Sequence, residues 1–440
     1  MAQIDEYDTF IDKGKDWKAP ADHKKINVHL VYAVKHDGRH KAHLVAGGHL
    51  TGVPVESVYS SVVSLRGVRM LAFIAKLNGQ QVWATDIGNA YLESYTKEKV
   101  YIKAGAEFGD RAGHYLIISK ALYGLKSSSL HWHERLANVL RSMGFVPPKA
   151  EVDIWMRDKG DHYEYIAVYV DDLLIVSNNP QELIDAFINN HHFKLKGTGP
   201  ISFHLGCDFY READGTLCFA PRKYITKVIN DYKRLFGETP PKKASSPLEH
   251  GDHPELDTSP FLDVEGIKIY QSLINSLQWA IQIGRFEVGT ATMTMSRFCA
   301  FPQQEHLDRV KRIIGYLSKM RHAVIRICTK EEIDFSKLPV KGFDWKYSVY
   351  GNPKEDIPMD IPTPCGKRAV RTSFVDTNLY HDLISGKSVT GILHFFNKTP
   401  IDWFSKLQST VETATFGSEY AAARTCTKQI IDLRSTLQYL

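Results

Sequence analysis

Alternating apolar and polar residues near the start of the chain predict a β-hairpin. The run VHLVYAVKH alternates in this way, Asp37-Gly38 supplies a turn, and RHKAHLVA returns with a similar alternation. An Asp-Gly pair between alternating runs is among the stronger short-range signals for a hairpin. The first structured unit is therefore expected to be a pair of antiparallel strands.

Helical spacing of apolar residues follows at two places. The run SLRGVRMLAFIAKLNG has this spacing and ends in Asn78-Gly79, a typical helix stop, after which QVWATDIGNAYLE predicts a strand that runs into a turn. A second helix is predicted from Ser127 to Met143, with one apolar face and Gly144 as its C-terminal cap.

Two adjacent aspartates interrupt a later apolar stretch. YEYIAVYVDDLLIVSN consists of two apolar runs joined by Val170-Asp171-Asp172, which predicts a tight strand-turn-strand whose tip exposes two carboxylates. Like charges repel, and burying either of them costs several kcal/mol unless it is paired or metal-bound. Mg²⁺ prefers carboxylate oxygens, and two ions can stabilise both the attacking and the leaving oxygen of a phosphoryl displacement. The simpler alternative is a solvated turn, because Asp is a favoured turn residue.

A third carboxylate favours the metal hypothesis. Asp86 ends the strand-like run QVWATD, and Tyr91 follows five residues later. A carboxylate at a strand end is what two ions need as a bridging ligand. An aromatic ring so close behind it is suited to a place under the sugar of an incoming nucleotide.

These residues carry a resemblance to a known family. Asp86–Leu92 (DIGNAYL) and Tyr169–Asp172 (YVDD) resemble the first and third palm motifs of reverse transcriptases, and Lys120–Lys126 (KALYGLK) resembles a signature of copia-type LTR retrotransposon polymerases. Further similar segments follow in the family's order over nearly the whole chain: His40–Ala46, Tyr59–Ser64, His204–Gly206, Lys223–Ile225, Tyr270–Leu273 and Lys311–Ile313.

The resemblance implies an α+β fold, namely a right-hand polymerase with fingers, palm and thumb, followed by a connection and a truncated RNase H-like α/β segment. Residues 1–236 would form the fingers and palm with the start of the thumb, residues 261–351 the thumb and connection helices, and residues 372–440 the N-terminal part of an RNase H-like domain. Residues 237–260 and 352–371 are predicted linkers or long loops, since they are rich in Pro, Ser, Gly and charge.

The family's site residues map onto this sequence one by one. By resemblance, Asp86, Asp171 and Asp172 would bind two Mg²⁺ ions, with Mn²⁺ as an alternative, and the backbone carbonyl of Ile87 would lie nearby. Tyr91 would be the gate that excludes a ribose 2′-hydroxyl. The other interpretation of Tyr91 is an aromatic residue packed at a strand end.

Two lysines are candidates for the triphosphate. Lys41 and Lys126 would offset the negative charge that develops during transfer, although most lysines are simply solvated. The sequence departs from the family beside Lys41, because copia-type enzymes usually carry Arg where His43 stands and a basic residue where Gly47 stands. These departures put nucleotide binding in question and motivate a second hypothesis, an inactive remnant.

Two predicted helices carry basic faces. PRKYITKVINDYKRLF places Lys223, Lys227 and Arg234 opposite its apolar residues, and HLDRVKRIIGYLSKMRH does the same with Arg312 and Lys319. In a polymerase thumb such faces would follow the template and primer phosphates, with a salt-dependent grip that is independent of sequence. The alternative is a plain amphipathic helix with a solvated cationic side.

The C-terminal region predicts strands and a final helix. RTSFVDT, VTGILHFF and IDWFSK are strand-like, with Asp376 in the first, and Glu419 lies in the last helix. By resemblance this is the start of an RNase H domain, which cleaves the RNA of an RNA/DNA hybrid with an acidic cluster and two metal ions. Only these two carboxylates are assignable before the sequence stops at Leu440, so we expect little or no nuclease activity.

Composition and charge change this picture little. The 440 residues, 43% hydrophobic and 24% charged, are typical of a globular chain with more than one core. A net charge of +5 suits a polyanionic partner without requiring one. The six cysteines are scattered singly, which indicates reduced residues and no zinc knuckle. No window is apolar over the length of a membrane span, so no membrane partner is expected.

The expected function is RNA-directed DNA synthesis for a copia-type retrotransposon. Its partners would be an RNA template, a DNA primer, the RNA/DNA hybrid, dNTPs and other parts of a Gag-Pol polyprotein, in cytoplasmic virus-like particles with later delivery of the product to the nucleus. The alternative is a catalytically inactive remnant that still binds nucleic acid. A different palm enzyme, such as a nucleotide cyclase, is disfavoured by the copia-like hairpin, the basic helices and the RNase H start.

Overall fold

A computed structural model describes residues 2–34, 40–52, 58–330, 333–334, 347, 349, 351 and 357–440. The helices of these residues are α1 Ala2–Glu6, α2 Leu65–Asn78, α3 Ser128–Ser142, α4 Pro180–Asn189, α5 Arg222–Phe236, α6 Val264–Gln282, α7 Gly289–Ser296, α8 Gln304–Lys319 and α9 Thr415–Tyr439. None of them is long and apolar enough to cross a membrane.

The strands of the described residues form four sheets and a separate hairpin. In the first part of the chain they are β1 Phe10–Asp12, β2 Lys24–Lys25, β3 Val28–Val34, β4 His40–Ala46, β5 Gln81–Ile87, β6 Val100–Lys103, β7 Tyr115–Ile118, β8 Ile154–Asp158, β9 Tyr163–Tyr169 and β10 Asp172–Ser177. They continue with β11 Leu195–Pro200, β12 Phe203–His204, β13 Cys207–Arg211, β14 Leu217–Ala220, β15 Ile325–Arg326, β16 Arg371–Asn378, β17 Val389–Phe396 and β18 Thr399–Leu407. This mixture of helices and sheets confirms the predicted α and β content.

The central sheet has the strand order β11-β5-β10-β9-β8 and is antiparallel throughout. Successive side chains of a strand point to opposite faces, and on β10 both faces are buried. Leu173 and Ile175 pack in the core that includes α3 and α4, whereas Leu174 and Val176 pack in the core that includes α2. Helices on both faces therefore explain why β9 and β10 read as nearly continuous apolar runs.

Helix α2 begins and ends where its sequence predicts. The Ser64 hydroxyl accepts a hydrogen bond from the Gly67 amide at 2.9 Å, which satisfies a free donor of the first turn. Gly79 ends the helix in the left-handed conformation, with φ 76°. Strand β5 starts two residues later and leads directly to Asp86.

An N-terminal sheet with the order β1-β7-β6-β2 lies beside the hairpin of β3 and β4. The predicted hairpin is confirmed by the register, which runs from Val28 opposite Ala46 to Val34 opposite His40. Its predicted turn, Asp37-Gly38, lies outside the described residues. The base of the hairpin is buried through Leu44 in the core of this region.

Helices α5 to α8 share one apolar core. Helix α5 confirms the helix predicted before the loop of residues 237–260, and α6 to α8 confirm the helices predicted after it. The loop of residues 237–260 contains a short 3-10 helix, Pro254–Leu256, and lies along α8. Arg309 pairs with Asp252 at 3.0 Å and with Asp257 at 3.2 Å. Ion pairs to α8 therefore order a loop whose composition cannot order itself.

The C-terminal sheet has the order β16-β17-β18, and α9 packs on one of its faces. Arg371 donates to the Ile430 carbonyl of α9 at 2.8 Å. On the other face the Thr290 hydroxyl of α7 lies 3.0 Å from the Ser405 hydroxyl of β18. The predicted order of three strands and a helix is confirmed.

Candidate active site

The edge of the central sheet brings three aspartates together. Asp86 lies near the end of β5, directly opposite Asp172 at the start of β10, and Asp171 occupies the turn just before it. The buried Ile87 donates its amide to the Asp171 carbonyl at 2.8 Å, so the turn is tied to β5. Residues 85 positions apart in sequence thus share one edge of one sheet.

The turn that carries Asp171 is strained. Val170 has φ 59°, in the left-handed region that β-branched residues rarely adopt, at a cost of about 1–3 kcal/mol. The Trp132 ring nitrogen of α3 donates to the Val170 carbonyl at 2.7 Å. Together with the bond from Ile87, this contact offsets the strain and holds the turn in place.

The aspartates are half-buried, where the sequence predicted an exposed tip. Burial, and after it the nearby Asp86 carboxylate, raises the pKa of Asp171. Burial, followed by the charges of Asp171 and Asp86, raises the pKa of Asp172 to about 7. The protein by itself therefore stabilises the charged forms of Asp171 and Asp172 poorly.

A divalent cation would remove that cost, and the chemistry of the donors suits one. Three carboxylates supply the hard oxygen ligands that Mg²⁺ and Mn²⁺ prefer. In the part of the chain that the structure describes, however, no three His, Cys, Asp or Glu side chains already converge as a metal-binding group. The donors match the ion in kind; the backbone places the three residues side by side, but their carboxylate groups do not converge on one point.

Tyr91 lies within the influence of these carboxylates. It belongs to the short 3-10 helix Ala90–Glu93, which follows Asn89 in the left-handed conformation with φ 56°. Burial, then the charge of Asp171, raises the pKa of Tyr91. Its ring also packs against the core below, as the alternative interpretation expected. Packing and a place beside Asp171 are therefore compatible for this side chain.

Tyr123 joins Tyr91 at the site, although the sequence did not single it out. The two ring centroids lie 4.6 Å apart, and the His43 ring lies 4.8 Å from Tyr123 on the other side. Burial, then the charge of Asp171, raises the pKa of Tyr123 to about 12. Its only sequence signal was its place in the KALYGLK motif. His43, noted as a departure from the family, extends this row of rings.

Two glycines let the base of the hairpin approach the KALYGLK loop closely, next to these rings. Gly124 has φ 92°, and a Cβ atom there would lie 2.1 Å from the Ala46 carbonyl oxygen. A Cβ atom at Gly48 would lie 2.0 Å from the Gly124 carbonyl oxygen. The Ala46 amide donates to the Tyr123 carbonyl at 2.6 Å. The base of the hairpin therefore lies directly on the KALYGLK loop.

The candidate lysines occupy different positions. Lys41 is exposed on β4, and its charge opposes the rise in the pKa of Asp171. The ammonium group of Lys126 donates to the carbonyls of Thr51 at 2.8 Å and Gly52 at 3.2 Å, and so holds a loop. Lys196 of β11, which sequence reasoning missed, is the register partner of Asp86 and also lowers the pKa of Asp171.

A family comparison covers this site. Residues 15–242, just over half of the chain, match the sequence model of the family described as reverse transcriptase (RNA-dependent DNA polymerase). The match includes all three aspartates. The chain belongs to the reverse transcriptase family.

Relatives of this family member confirm the copia-type resemblance. It is 28% identical over 64% of its length to the retrovirus-related Pol polyprotein from transposon RE1 of Arabidopsis thaliana, and 25% identical over 96% to that from transposon TNT 1-94 of Nicotiana tabacum. It is 29% identical over 55% to a putative transposon Ty5-1 protein of Saccharomyces cerevisiae, of which it covers 77%. The chain spans 19% and 30% of the first two relatives' own length.

Several predicted grip residues form ion pairs within the chain. The Lys223 ammonium lies 3.1 Å from an Asp208 carboxylate oxygen, and Arg234 bonds to Asp231 at 2.8 Å. Arg312 bonds to Glu249 at 2.8 Å, which holds the loop of residues 237–260. Lys227 on α5 and Lys319 on α8 are exposed.

The two C-terminal carboxylates lie on neighbouring elements. Asp376 of β16 is exposed and lines a cavity of about 1050 Å³ between this sheet and helices α6 and α7. The next side chain, Thr377, points to the other face and lies 3.2 Å from the Ser418 hydroxyl of α9, beside Glu419. The sheet thus stands between the face of Asp376 and the helix of Glu419.

Proposed function

We propose that this chain is an RNA-directed DNA polymerase of a copia-type retrotransposon. It would add deoxynucleotides to a primer 3′-hydroxyl on an RNA or DNA template by two-metal nucleotidyl transfer. The observation that carries the proposal is the direct pairing of Asp86 with Asp172 across β5 and β10, with Asp171 in the adjoining turn. Like charges opposite each other on a sheet are destabilising, which points to a functional reason for their presence.

The proposed arrangement is a right hand. In it the central sheet is the palm, the hairpin and N-terminal sheet are the fingers, α5 to α8 are the thumb and connection, and residues 372–440 are the first part of an RNase H-like segment. The strand order and the shared core of α5 to α8 support this division. Residues 237–260 and 357–371 would separate the units; residues 352–356 of the second predicted linker lie outside the described residues.

Asp86, Asp171 and Asp172, with the Ile87 carbonyl, would hold two Mg²⁺ or Mn²⁺ ions. When bound, the ions would neutralise phosphate charge and stabilise the attacking and leaving oxygens. The carboxylates are half-buried, so the local dielectric constant is lower than that of water. Such electrostatic stabilisation is therefore stronger there than in water.

Other side chains would bind the nucleotide. Lys41 would meet the triphosphate from the hairpin, since its charge already acts on Asp171. Lys126 would do so only by exchanging its bonds to Thr51 and Gly52. Tyr91, supported by Tyr123, would lie under the sugar and exclude a 2′-hydroxyl.

The proposed partners follow from this activity. They are an RNA template, a DNA primer, their hybrid and dNTPs, gripped by the basic faces of α5 and α8. The two plant relatives are named Pol polyproteins and a Ty1 relative of Saccharomyces cerevisiae is named a Gag-Pol polyprotein, which supports the proposal that the chain works as part of a Gag-Pol polyprotein. We propose a cytoplasmic virus-like particle as its place of action, with nuclear delivery of the product.

The test is primer extension on poly(rA) with an oligo(dT) primer and Mg²⁺. Wild-type chain is compared with Asp171→Asn and with a matched control, Asp185→Asn, at an exposed position on α4. We expect extension by the wild type and the control and none by Asp171→Asn. If none of the three extends the primer while hybrid binding is intact, the chain is the inactive remnant of the alternative hypothesis.

A further inference from the structure

The loop between Asp86 and Tyr91 is contacted from outside the central sheet. The Tyr7 hydroxyl donates to the Gly88 carbonyl at 3.2 Å. From the other direction the Gly88 amide donates to the Lys194 carbonyl at 2.8 Å. Both backbone groups of Gly88 are therefore bonded to segments that are distant in sequence.

The loop has little room to move between these contacts. A Cβ atom at Gly88 would lie 2.8 Å from the Lys196 ammonium and 3.1 Å from the Lys194 carbonyl oxygen. Asn89 follows in the left-handed conformation, with φ 56°. The path from Asp86 to Tyr91 is thus short, tightly packed and sensitive to either contact.

Tyr7 is itself held in place. The Lys194 ammonium lies 4.7 Å from the centroid of its ring, and Lys194 also pairs with Glu6. Burial, and then the neighbouring Glu93 carboxylate, raises the pKa of Tyr7. The hydroxyl accordingly stays protonated, and its proton is available to the Gly88 carbonyl and to the neighbouring Glu93 carboxylate.

The segment that carries Tyr7 is anchored to the N-terminal sheet. The Ser119 amide donates to the Thr9 carbonyl at 2.9 Å, and its hydroxyl donates to the Asp8 carbonyl at 2.7 Å. Ile4 and Tyr7 pack against the core of that sheet. This segment precedes residue 15, where the match to the reverse transcriptase family begins.

We infer that Tyr7 is a positioning residue for nucleotide selection, because it fixes the Gly88-Asn89 loop and through it the place of the Tyr91 ring relative to Asp86. The inference rests on the proposed polymerase function and extends its selective site to the N-terminal segment. Without the Tyr7 hydroxyl, the Gly88 carbonyl has lost its donor and the loop gains freedom.

The test uses Tyr7→Phe, which keeps the ring over Lys194 and removes only the hydroxyl. On poly(rA) with oligo(dT), we compare kcat/KM for dTTP and for UTP. One hydrogen bond of about 0.5–1.5 kcal/mol corresponds to a loss of discrimination of about 2- to 13-fold, expected mainly as a lower KM for UTP. The matched control is Tyr224→Phe, which loses a similar bond to the Ser276 carbonyl at 3.0 Å in α6 and should leave discrimination unchanged.

A second measurement separates this inference from the proposed function. Amide hydrogen exchange of residues 87–94 in the full chain should be faster in Tyr7→Phe than in the wild type or Tyr224→Phe, whether or not the chain is active. Unchanged exchange there would overturn the inference. So would an active Tyr7→Phe variant with a lower Tm and wild-type discrimination, because that result describes a purely structural role.

Discussion

Asp86 and Asp172 lie directly opposite each other on the antiparallel strands β5 and β10. Directly opposed residues in such a pair have their Cβ atoms about 4.5–5.5 Å apart. Asp171 adds a third carboxylate at the turn, and partial burial reduces the screening of this repulsion by water. Without a metal ion, the charged carboxylates at this place therefore lower the stability of the folded protein.

Burial of Asp172, together with that repulsion, predicts a pH dependence of stability. The pKa of Asp172 is raised to about 7 in the folded protein from an ordinary value of 3.8. A carboxyl whose pKa is raised on folding contributes stability below its unfolded pKa and loses that contribution as pH rises through its folded pKa. The metal-free protein should therefore lose free energy of unfolding between about pH 4 and pH 7.

Asp172→Asn tests this relation directly. At pH 8 without divalent ions we expect the variant to be more stable than the wild type by about 2 kcal/mol, after allowance for the part of the carboxylate that remains in water. At pH 5 the difference should shrink. Added Mg²⁺ should raise the Tm of the wild type more than that of the variant. Equal Tm values under all these conditions would contradict a strained carboxylate cluster.

Tyr91→Val should weaken the exclusion of ribonucleotides. The ring lies against Tyr123 beside the aspartates, so its removal would open space for a 2′-hydroxyl. We expect the ratio of kcat/KM for UTP to that for dTTP to rise about 10-fold or more, which corresponds to about 1.4 kcal/mol. Tyr91→Phe keeps the ring and should behave like the wild type. If exclusion depended on the hydroxyl instead, the ratio would rise in Tyr91→Phe as well as in Tyr91→Val.

Trp132→Phe should loosen the strained turn. Its ring nitrogen donates to the Val170 carbonyl, and loss of that bond leaves a half-buried acceptor without its partner. We expect the free energy of unfolding to fall by about 1–3 kcal/mol and kcat to fall with it. Trp155→Phe removes similar volume from the same core but not the donor to this turn. The control should lose stability in denaturant titrations and keep its kcat.

The basic faces predict different effects of two substitutions on hybrid binding. Lys227 is exposed on α5, whereas Arg312 bonds to Glu249 and the Ser246 carbonyl. Lys227→Ala should weaken binding uniformly across sequences and reduce the salt slope by about 1. Arg312→Ala should mainly lower the Tm. Fluorescence anisotropy across salt concentrations, with thermal unfolding, distinguishes the two; an unchanged slope in Lys227→Ala would exclude that lysine from the grip.

The C-terminal sheet predicts an inactive nuclease segment. Asp376 faces the cavity toward α6 and α7, while Glu419 lies on the helix at the other face. We expect the chain to extend a primer yet leave the RNA strand of a labelled hybrid intact in Mg²⁺. Cleavage that is lost in Asp376→Asn but kept in Asp402→Asn would show that the segment is a working nuclease.

The sequence by itself determined those features that depend on neighbours along the chain. Helix α2 begins after Ser64 and ends before Gly79, because a helix cap needs only local hydrogen bonds and backbone freedom. The turn at Asp171 follows from two apolar runs around polar residues, and the three aspartates were recognised from motifs of a few residues. Helices, strands and candidate ligands were therefore predictable.

Only the tertiary structure decided which distant groups meet. It set Asp86 opposite Asp172, brought Tyr123 beside Tyr91, and placed Tyr7 on the loop between Asp86 and Tyr91. It also bonded Lys126 to the Thr51 carbonyl and Arg312 to Glu249, whereas the sequence suggested that both cations are available to a nucleotide or nucleic acid. Such partners depend on which remote strands pair and on how remote segments pack, and the periodicity of a single sequence identifies neither.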